Sequence, residues 1–321
     1  MRAAINTKYG PPEVVQLLDI EKPAPKENEV LVKVHATTVN RTDCGFRSAE
    51  YFISRFFSGL LRPKFHTLGN EFAGEIEAIG AGVQLFAVGD KVFGYNDQRF
   101  GAHAEYLTMA EAGAIATMPG NFGFEEAAPL CEGAHYALCD IRAANVKSGQ
   151  HVLVHGATGA IGSAAVQLGK ALGATITAVC STPNLALVQS LGADVVIDYT
   201  AQDFTKTDQT FEFVFDACGK SSFAACKPLL TKNGIYISTE LGYRGANIWL
   251  ALITPAWGGK KVLFPIPTIT KADVLFLKEL AETGRFKPVV DRCYPLEQIV
   301  EAYRYVETGQ KIGNVVITLN Q

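Results

Sequence analysis

A glycine-rich turn between an apolar strand and a helix, at residues 151–170, constrains the fold of this chain more than any other feature. Glycines at 156, 159 and 162 allow a tight turn, let the backbone approach a pyrophosphate without a clashing Cβ, and bring the helix close to its strand. The amino end of such a helix presents unpaired N–H groups to phosphates. The segment therefore predicts a dinucleotide site and, with it, hydride-transfer chemistry.

The residues after the turn repeat the same alternation of strand and helix. Apolar residues from Ile161 to Leu172 recur at helical spacing, Gly173 ends that helix, and residues 175–179 have the β-branched composition of a buried strand. The alternation continues with a helix at 185–191 and with strands at 195–197, 211–215 and 235–238. This pattern predicts an α/β fold with a doubly wound parallel sheet of the Rossmann type.

Composition limits the class of protein. The chain has 321 residues, of which 48% are hydrophobic and 19% charged, so it can bury a sizeable core and fits two domains better than one. A net charge of -3 gives no electrostatic footprint for nucleic acid. No apolar run is long enough to span a membrane, and residues 1–6 lack signal-peptide features. With seven scattered cysteines and no C-x-x-C pair, the chain is predicted to be cytoplasmic.

The two ends of the chain have a different texture from its middle. Short alternating stretches separated by glycine and proline, as at 30–36 and 71–80, predict a small β-barrel. A helix from about 295 to 306 leads into a last strand at 314–319, which we expect to join that barrel. The predicted division is a catalytic domain at 1–122, a dinucleotide-binding domain at 123–270, and the rest of the catalytic domain at 271–321.

Several motifs occur in a familiar order. They are Asn-Arg-Thr-Asp at 40–43, Gly-Asn-Glu at 69–71, Val-Gly-Asp-Lys-Val-Phe-Gly at 88–94, the glycine turn, and Asp-Arg-Cys-Tyr-Pro-Leu at 291–296. Over nearly its whole length the chain resembles the medium-chain dehydrogenase/reductases, and within them the zinc-independent quinone oxidoreductase branch. The resemblance implies a GroES-like catalytic domain beside the Rossmann domain, a homodimer, and NADPH-dependent reduction of quinones or α,β-unsaturated carbonyls.

Two other functions compete with this one. A zinc alcohol dehydrogenase would need cysteine or histidine ligands where this chain has Asn40, Asn70 and Leu130, so no metal is predicted. A nucleotide-binding protein without turnover, with a structural or regulatory role, is the second alternative. Turnover of NADPH with a quinone or an enone separates these alternatives from the reductase.

A reductase without metal needs hydrogen-bond donors for the substrate oxygen. By the resemblance, Asn40 lies near the cleft and Tyr51 is the nearest phenol on the following loop, and both are candidate donors. The alternative is structural: Asn40 caps a turn, Asp43 caps the helix that starts there, and Tyr51 packs through its ring. Glu132 is an unusual acid in an apolar helix start, for which an interaction with the helix dipole is the simplest explanation. His155 is expected to be held by local backbone groups.

The choice of cofactor depends on the end of the second Rossmann strand. NAD enzymes tend to have an acid there, whereas this chain has Cys180 followed by two hydroxyl residues. Tyr199 matches a phosphate-binding tyrosine of the quinone reductases, which favours NADPH. No lysine or arginine occurs between 171 and 205, so NADH use stays possible. The predicted cofactor-binding residues are Gly156, Ala157, Thr158, Gly159, Ala160, Ile161, Gly162, Ser181, Thr182 and Tyr199.

Two apolar segments, 52–65 and 246–257, have the composition of a lipophilic pocket lining. Burial in the core or in a dimer interface explains them equally well.

Overall fold

The structure is a computed structural model that describes residues 1–50, 55–96 and 98–319, with the side chain of Phe57 excepted. It divides into two compact units. The first comprises Met1–Glu132, Ile269–Thr283 and the described residues from Lys287 onward, and the second comprises Gly133–Thr268 and Gly284–Phe286. No helix among the described residues is both long and apolar enough to cross a bilayer.

The strands are short and numerous at both ends of the chain and regular in its middle. In chain order they are β1 (Arg2–Ile5), β2 (Gln16–Asp19), β3 (Glu29–Val39), β4 (Glu71–Ile79), β5 (Lys91–Tyr95), β6 (Tyr106–Ala110), β7 (Ile115–Thr117), β8 (His151–His155), β9 (Thr175–Cys180), β10 (Val195–Asp198), β11 (Phe211–Asp216), β12 (Leu230–Ser238), β13 (Lys261–Leu263), β14 (Val290–Pro295) and β15 (Asn314–Thr318).

The helices lie between these strands, and most of the longer ones belong to the second unit. They are α1 (Arg41–Ser48), α2 (Arg55–Ser58), α3 (Phe124–Ala127), α4 (Glu132–Ala143), α5 (Ala160–Ala171), α6 (Leu185–Ser190), α7 (Phe223–Cys226), α8 (Ala246–Trp257), α9 (Lys271–Glu282) and α10 (Ile299–Glu307).

The second unit is built on a six-stranded sheet in which every neighbouring pair is parallel. Its strand order is β10-β9-β8-β11-β12-β13, so β8 and β11 lie side by side where the direction of winding reverses. In open α/β sheets ligands bind at this switch point, beyond the carboxyl ends of the strands. The predicted Rossmann fold is confirmed.

The sequence of β8 explains its central place. The strand is apolar from Val152 to Val154, and those residues are fully buried, as a strand covered on both faces requires. Helix α5 begins after Gly159 and is buried along most of its length, which places it close against the sheet. Gly173 follows with φ +81°, the left-handed conformation that commonly ends a helix at glycine.

The first unit contains a mixed sheet in the order β14-β15-β3-β4-β5-β7, with β6 paired to β3, and a separate β1-β2 pair. Strand β15 pairs antiparallel with β3, so the end of the chain joins the amino-terminal sheet as the sequence predicts. The central strand β3 is buried along almost its whole length. Together with the parallel sheet of the second unit, this sheet confirms the predicted fold class, a Rossmann domain plus a GroES-like domain.

The first unit runs to Glu132, whereas the sequence-based boundary lies between 122 and 123. The intervening segment is held by the first unit through side chains that the sequence does not reveal. The Phe124 ring stacks on His35 at 4.3 Å between ring centroids, and the backbone N–H groups of Cys131 and Glu132 donate to the Glu71 carboxylate.

Candidate functional site

Asn40 connects the end of β3 to the start of α1 in the first unit. Its Oδ1 accepts from the backbone N–H of Asp43 at 3.0 Å, and the Asp43 carboxylate accepts from the backbone N–H of Asn40 at 3.2 Å. This reciprocal pair is a capping box, which satisfies two backbone donors at the helix start. Asn40 therefore has a structural role, as the helix cap that the sequence argument assigned to Asp43, and its Nδ2 remains available for a second contact.

The amide of Asn40 continues into a buried hydrogen-bond chain. Asn40 Nδ2 donates to Asn70 Oδ1 at 2.7 Å, and Asn70 Nδ2 donates to Glu132 Oε2 at 3.1 Å and to the Tyr95 hydroxyl at 3.2 Å. Thr42 Oγ1 donates to the other Glu132 oxygen at 2.6 Å. A carboxylate only accepts, so Glu132 fixes which end of the Asn70 amide faces which partner. Among the described residues, none accepts from the second Nδ2 hydrogen of Asn40.

Glu71 lies fully buried beside the hydrogen bonds that join Asn40, Asn70 and Glu132. Its Oε1 accepts from Thr38 Oγ1 at 2.6 Å, and its Oε2 accepts from the backbone of Glu132 at 2.7 Å. Burial, with a contribution from the neighbouring Glu132 charge, raises the pKa of Glu71 to about 8. Two buried acids thus share one region, and the charge of Lys311 interacts with both; clusters of this kind are common at functional sites.

His103 is a buried structural residue next to this network, and both of its ring nitrogens contact protein groups. Its Nε2 lies 2.7 Å from the Thr38 carbonyl, which only accepts, so this nitrogen carries the proton and Nδ1 faces the Tyr303 hydroxyl at 3.3 Å. Burial lowers the pKa of His103 to about 4. Asp43 is also fully buried, accepts from the Gly69 N–H at 2.9 Å, and has its pKa raised by burial to about 8.

These donors do not fit a catalytic zinc. Both carboxamide oxygens, of Asn40 and Asn70, are already occupied by N–H donors. Catalytic zinc sites are built from cysteine thiolates, histidine nitrogens and carboxylates that converge on one point. Here His103 has both ring nitrogens occupied within the protein, and the described residues of this unit form no group of three or more converging metal-ligating side chains.

The glycine turn of the second unit separates into two kinds of glycine. A Cβ on Gly162 would lie 2.1 Å from the Gly156 carbonyl oxygen, and a Cβ on Gly156 would lie 2.7 Å from the Cys218 Cβ. Gly156 also has φ +80°, so both positions require glycine for the fold itself. Gly159 differs: its φ is -70°, and the nearest atom to an added Cβ is 3.8 Å away. Nothing in the packing requires glycine there, whereas a phosphate against the start of α5 would.

The predicted adenosine end of this site contains an acid that the sequence argument left out. Thr182 Oγ1 donates to Asp198 Oδ2 at 2.6 Å, and Thr200 Oγ1 donates to the other oxygen at 2.7 Å. The Thr182 and Thr200 hydrogen bonds hold the pKa of Asp198 below its ordinary value. Ser181 Oγ accepts from the Asn184 amide at 3.0 Å, and Tyr199 is exposed. The Thr182 proton is thus used within the protein.

Three further sequence-based expectations concern Tyr51, His155 and Glu132. Tyr51 lies outside the described residues. His155 is held by a side chain and not by backbone groups, because Asp216 Oδ1 lies 3.0 Å from its Nδ1. Burial lowers the pKa of His155, but the hydrogen bonds and charges of Asp216 and Cys218 together outweigh burial and raise the pKa to about 9. Glu132 faces Asn70 and Thr42 instead of serving only a helix dipole. The signal for this network was an unexplained acid in an apolar segment.

Comparison with known proteins gives consistent matches along the chain. The model for an alcohol dehydrogenase GroES-like domain matches residues 26–120, and the model for a zinc-binding dehydrogenase matches 191–317. A 2-methylene-furan-3-one reductase of Solanum lycopersicum is 32% identical over 99% of this chain and 79% of its own length. A chloroplastic NADPH-dependent alkenal/one oxidoreductase of Arabidopsis thaliana is 30% identical over 99% of this chain and 79% of its own. The solved structure of a quinone oxidoreductase from Coxiella burnetii superposes with a TM-score of 0.88, at 27% identity, over 100% of this chain and 99% of its own.

Proposed function

The chain belongs to the medium-chain dehydrogenase/reductase family, in its quinone oxidoreductase branch, and from this premise we propose that it reduces quinones or α,β-unsaturated carbonyl compounds with NADPH. The predicted family and the predicted class of enzyme, a nicotinamide-dependent oxidoreductase, are confirmed. The observation that carries the proposed reaction is the amide of Asn40, which keeps one free hydrogen-bond donor in a buried polar network that contains no zinc ligand set.

The dinucleotide is held by the turn from Gly156 to Gly162. Gly159 leaves open the space that a phosphate needs, and the first turn of α5 presents backbone N–H groups to it. Ala157, Thr158, Ala160 and Ile161 form the rest of this turn, with Ser181, Thr182 and Tyr199 toward the adenosine. When bound, the reduced nicotinamide supplies a hydride to an electron-poor carbon of the substrate.

Asn40 binds the carbonyl oxygen on which negative charge develops. Its Oδ1 caps α1 and one N–H donates to Asn70, so the orientation of the side chain is fixed before substrate arrives. A donor fixed in this way stabilises developing charge without reorganisation, and one such donor contributes roughly 10²–10³ in rate. Tyr51 is a second candidate donor for the same oxygen.

Asn70 and Glu132 are positioning residues in this scheme. Glu132 orients the Asn70 amide through Nδ2, and Asn70 in turn orients Asn40 through Oδ1. Thr42 completes the support by donating to the second oxygen of Glu132. Because a conjugated carbonyl spreads charge onto its oxygen, the proton that follows the hydride is supplied by water.

NADPH is the proposed cofactor, with NADH as a secondary one. Cys180 replaces the acid that would repel a 2′-phosphate at the end of β9, and Ser181 lies next to it. Asp198 acts in the opposite direction, since its charge and its hold on Thr182 both disfavour a phosphate. Steady-state kinetics with NADPH and with NADH on the same substrate measure the preference for one cofactor over the other.

The experiment that tests the proposal is NADPH consumption by the purified chain with an ortho-quinone and with a simple enone. Asn40→Asp is the informative variant, because aspartate caps a helix as well as asparagine does but carries no N–H donor. We expect kcat to fall roughly a hundredfold. Stability also falls, because the new carboxylate faces the Asn70 Oδ1 acceptor among buried acids, so kcat is compared on protein that circular dichroism shows to be folded. Asn233→Asp, at an exposed position of the second unit, is the matched control and keeps full activity. Equal kcat in the two variants would remove Asn40 from the reaction.

Glu132→Gln tests the positioning role. We expect a fall in kcat of roughly fivefold and a smaller change in the KM for NADPH, because Asn70 and Thr42, which the Glu132 carboxylate contacts, lie outside the dinucleotide turn. Glu125→Gln, on an exposed side chain of the same segment, is the control. NADPH binding without turnover across the substrate panel would favour the non-enzymatic alternative. Equimolar zinc by elemental analysis, together with alcohol oxidation, would favour a zinc alcohol dehydrogenase.

We also propose a homodimer and a cytoplasmic location. Helix α8 exposes Trp249, Leu252 and Trp257 by 66–74% of their surface, and large exposed apolar side chains of this kind are common at interfaces between subunits. Strand β13, which contacts α8, is the edge strand of the parallel sheet. Light scattering on the purified protein measures the mass in solution. All seven cysteines are free thiols, as in a reducing compartment, and cell fractionation distinguishes the cytoplasm from the chloroplast named for the Arabidopsis relative.

A further inference from the structure

Three metal-ligating side chains meet at the switch point of the parallel sheet, outside the network of the first unit. His155 is the last residue of β8, Asp216 is the last residue of β11, and the two are register partners. Cys218 follows two residues later, where the chain turns over the edge of the sheet. Parallel neighbouring strands bring their carboxyl ends together, which is why three residues far apart in the sequence converge here.

The distances among the three ligand atoms are those of a tetrahedral site. His155 Nδ1 lies 3.0 Å from Asp216 Oδ1, and the Cys218 Sγ lies 3.6 Å from that nitrogen and 3.5 Å from that oxygen. Zinc bonds of about 2.3 Å to sulfur and about 2.0–2.1 Å to nitrogen and oxygen, at tetrahedral angles, separate sulfur from either partner by about 3.5–3.6 Å and nitrogen from oxygen by about 3.3 Å. The three side chains therefore form one face of a tetrahedron with little adjustment.

We propose that His155, Asp216 and Cys218 form a binding site for a divalent transition-metal ion of the zinc type, with a fourth coordination position open. Thiolate, imidazole and carboxylate together are a donor set that selects zinc over magnesium or calcium. On binding, the Cys218 thiol and the His155 Nδ1–H each release a proton to solvent, so that the thiolate and the Nδ1 lone pair face the metal while Nε2 keeps the ring proton.

The surroundings hold these ligands in place. The second oxygen of Asp216 accepts from the Ser221 backbone N–H at 2.9 Å and from the Tyr236 hydroxyl at 3.2 Å. The His155 ring stacks on Phe204 at 4.7 Å between centroids. Outer contacts of this kind orient the ligands of a metal site. Asp216 is fully buried, whereas Cys218 is partly exposed and leaves a route for an ion.

The site lies against the glycine turn, which gives it a regulatory consequence. A Cβ on Gly156 would lie 2.8 Å from the Cys218 Sγ, so a metal at Cys218 is next to the first glycine of the turn. Metal and dinucleotide are then expected to compete. This consequence rests on the proposed function, whereas the metal site itself does not. Because coupling between two sites is reciprocal, NADPH weakens metal binding by the same factor by which metal weakens NADPH binding.

Cobalt titration of the purified, desalted chain tests the metal site directly. We expect one equivalent of Co²⁺ to produce the near-ultraviolet thiolate charge-transfer band and the intense visible bands of a tetrahedral ion, and Zn²⁺ to displace it. Cys218→Ser removes the charge-transfer band, and His155→Gln weakens Zn²⁺ binding at least tenfold. Cys293→Ser, at an exposed thiol, is the control and keeps both. A spectrum that survives in Cys218→Ser or is lost in Cys293→Ser overturns the site.

A measurement on the unmodified protein guards against variants that fail to fold. Alkylation by iodoacetamide, followed residue by residue by mass spectrometry, should slow at Cys218 and not at Cys293 when Zn²⁺ is added. Equal protection of both thiols, or of neither, contradicts the site. The competition is measured separately, as a rise in the Kd for NADPH with Zn²⁺ that is absent in Cys218→Ser. An unchanged Kd in a protein with the cobalt spectrum refutes the competition, and absence of NADPH binding counts against the proposed function alone.

Discussion

Substituting alanine for Gly159 separates the glycines that the fold needs from the one that a ligand needs. An added Cβ lies 3.8 Å from the nearest atom, and φ is -70°, so the backbone accepts alanine without strain. Alanine gains about 0.4–1 kcal/mol by restricting the unfolded chain but is a poorer helix cap by a comparable amount. We expect the free energy of unfolding to stay within about 1 kcal/mol of the wild type. In contrast, the methyl group occupies the space of a phosphate, and the Kd for NADPH should rise roughly tenfold or more, about 1.4 kcal/mol.

Gly162→Ala is the contrasting variant, since its Cβ lies 2.1 Å from a backbone carbonyl oxygen and the turn must shift. We expect it to lose about 1–3 kcal/mol of stability. Gly120→Ala, at an open turn of the first unit, should change neither quantity. Urea unfolding gives the stability, and quenching of protein fluorescence by NADPH gives the Kd. The reasoning is refuted if Gly159→Ala binds NADPH as the wild type does, or if it unfolds as readily as Gly162→Ala.

Three further predictions follow from buried or paired charges. Asp198→Asn removes an anion and frees the Thr182 hydroxyl, so the ratio of kcat/KM with NADPH to that with NADH should rise about fivefold; an unchanged ratio would separate Asp198 from cofactor choice. Because burial raises the pKa of Glu71 to about 8, folding favours its protonated form, and the stability that this contributes is lost as pH rises from 4.5 through 8. In urea unfolding, Glu71→Gln should reduce the decline of stability over this pH range and leave the part that Asp43 and Asp140 contribute. Glu307→Ala leaves the fully buried Arg47 guanidinium without its carboxylate and should cost roughly 2 kcal/mol, which thermal unfolding would measure against Glu301→Ala on an exposed face of the same helix.

The cofactor turn shows how far local sequence reaches. The spacing of Gly156, Gly159 and Gly162 between an apolar strand and a helix predicts the turn because each element depends on residues within a few positions of one another. The same argument does not tell which glycine serves packing. That distinction depends on Cys218, which comes from a different strand and fills the space beside Gly156.

The candidate site for the substrate oxygen shows what local sequence cannot predict. The sequence predicts both a capping role and a donor role for Asn40, and it marks Glu132 as an unusual acid in an apolar helix start. Only the folded chain joins them, because Asn70 lies at the start of β4 and Glu132 at the start of α4, 62 residues apart in sequence. Their meeting depends on which strand edges and helix ends pack together, and no periodicity carries that information.

The sequence by itself indicated the alternation of strands and helices after residue 151, the Rossmann class, a small β-barrel and the place of the dinucleotide turn, whereas the GroES-like class was implied by the family resemblance. Alternation, glycine spacing and helix caps are short-range properties, so they can be recognised without the fold. The tertiary structure decided the pairing of β8 with β11, which sets His155 opposite Asp216, and the buried network around Asn40. These contacts join distant segments, and their energy is realised only when the sheets have formed and excluded water.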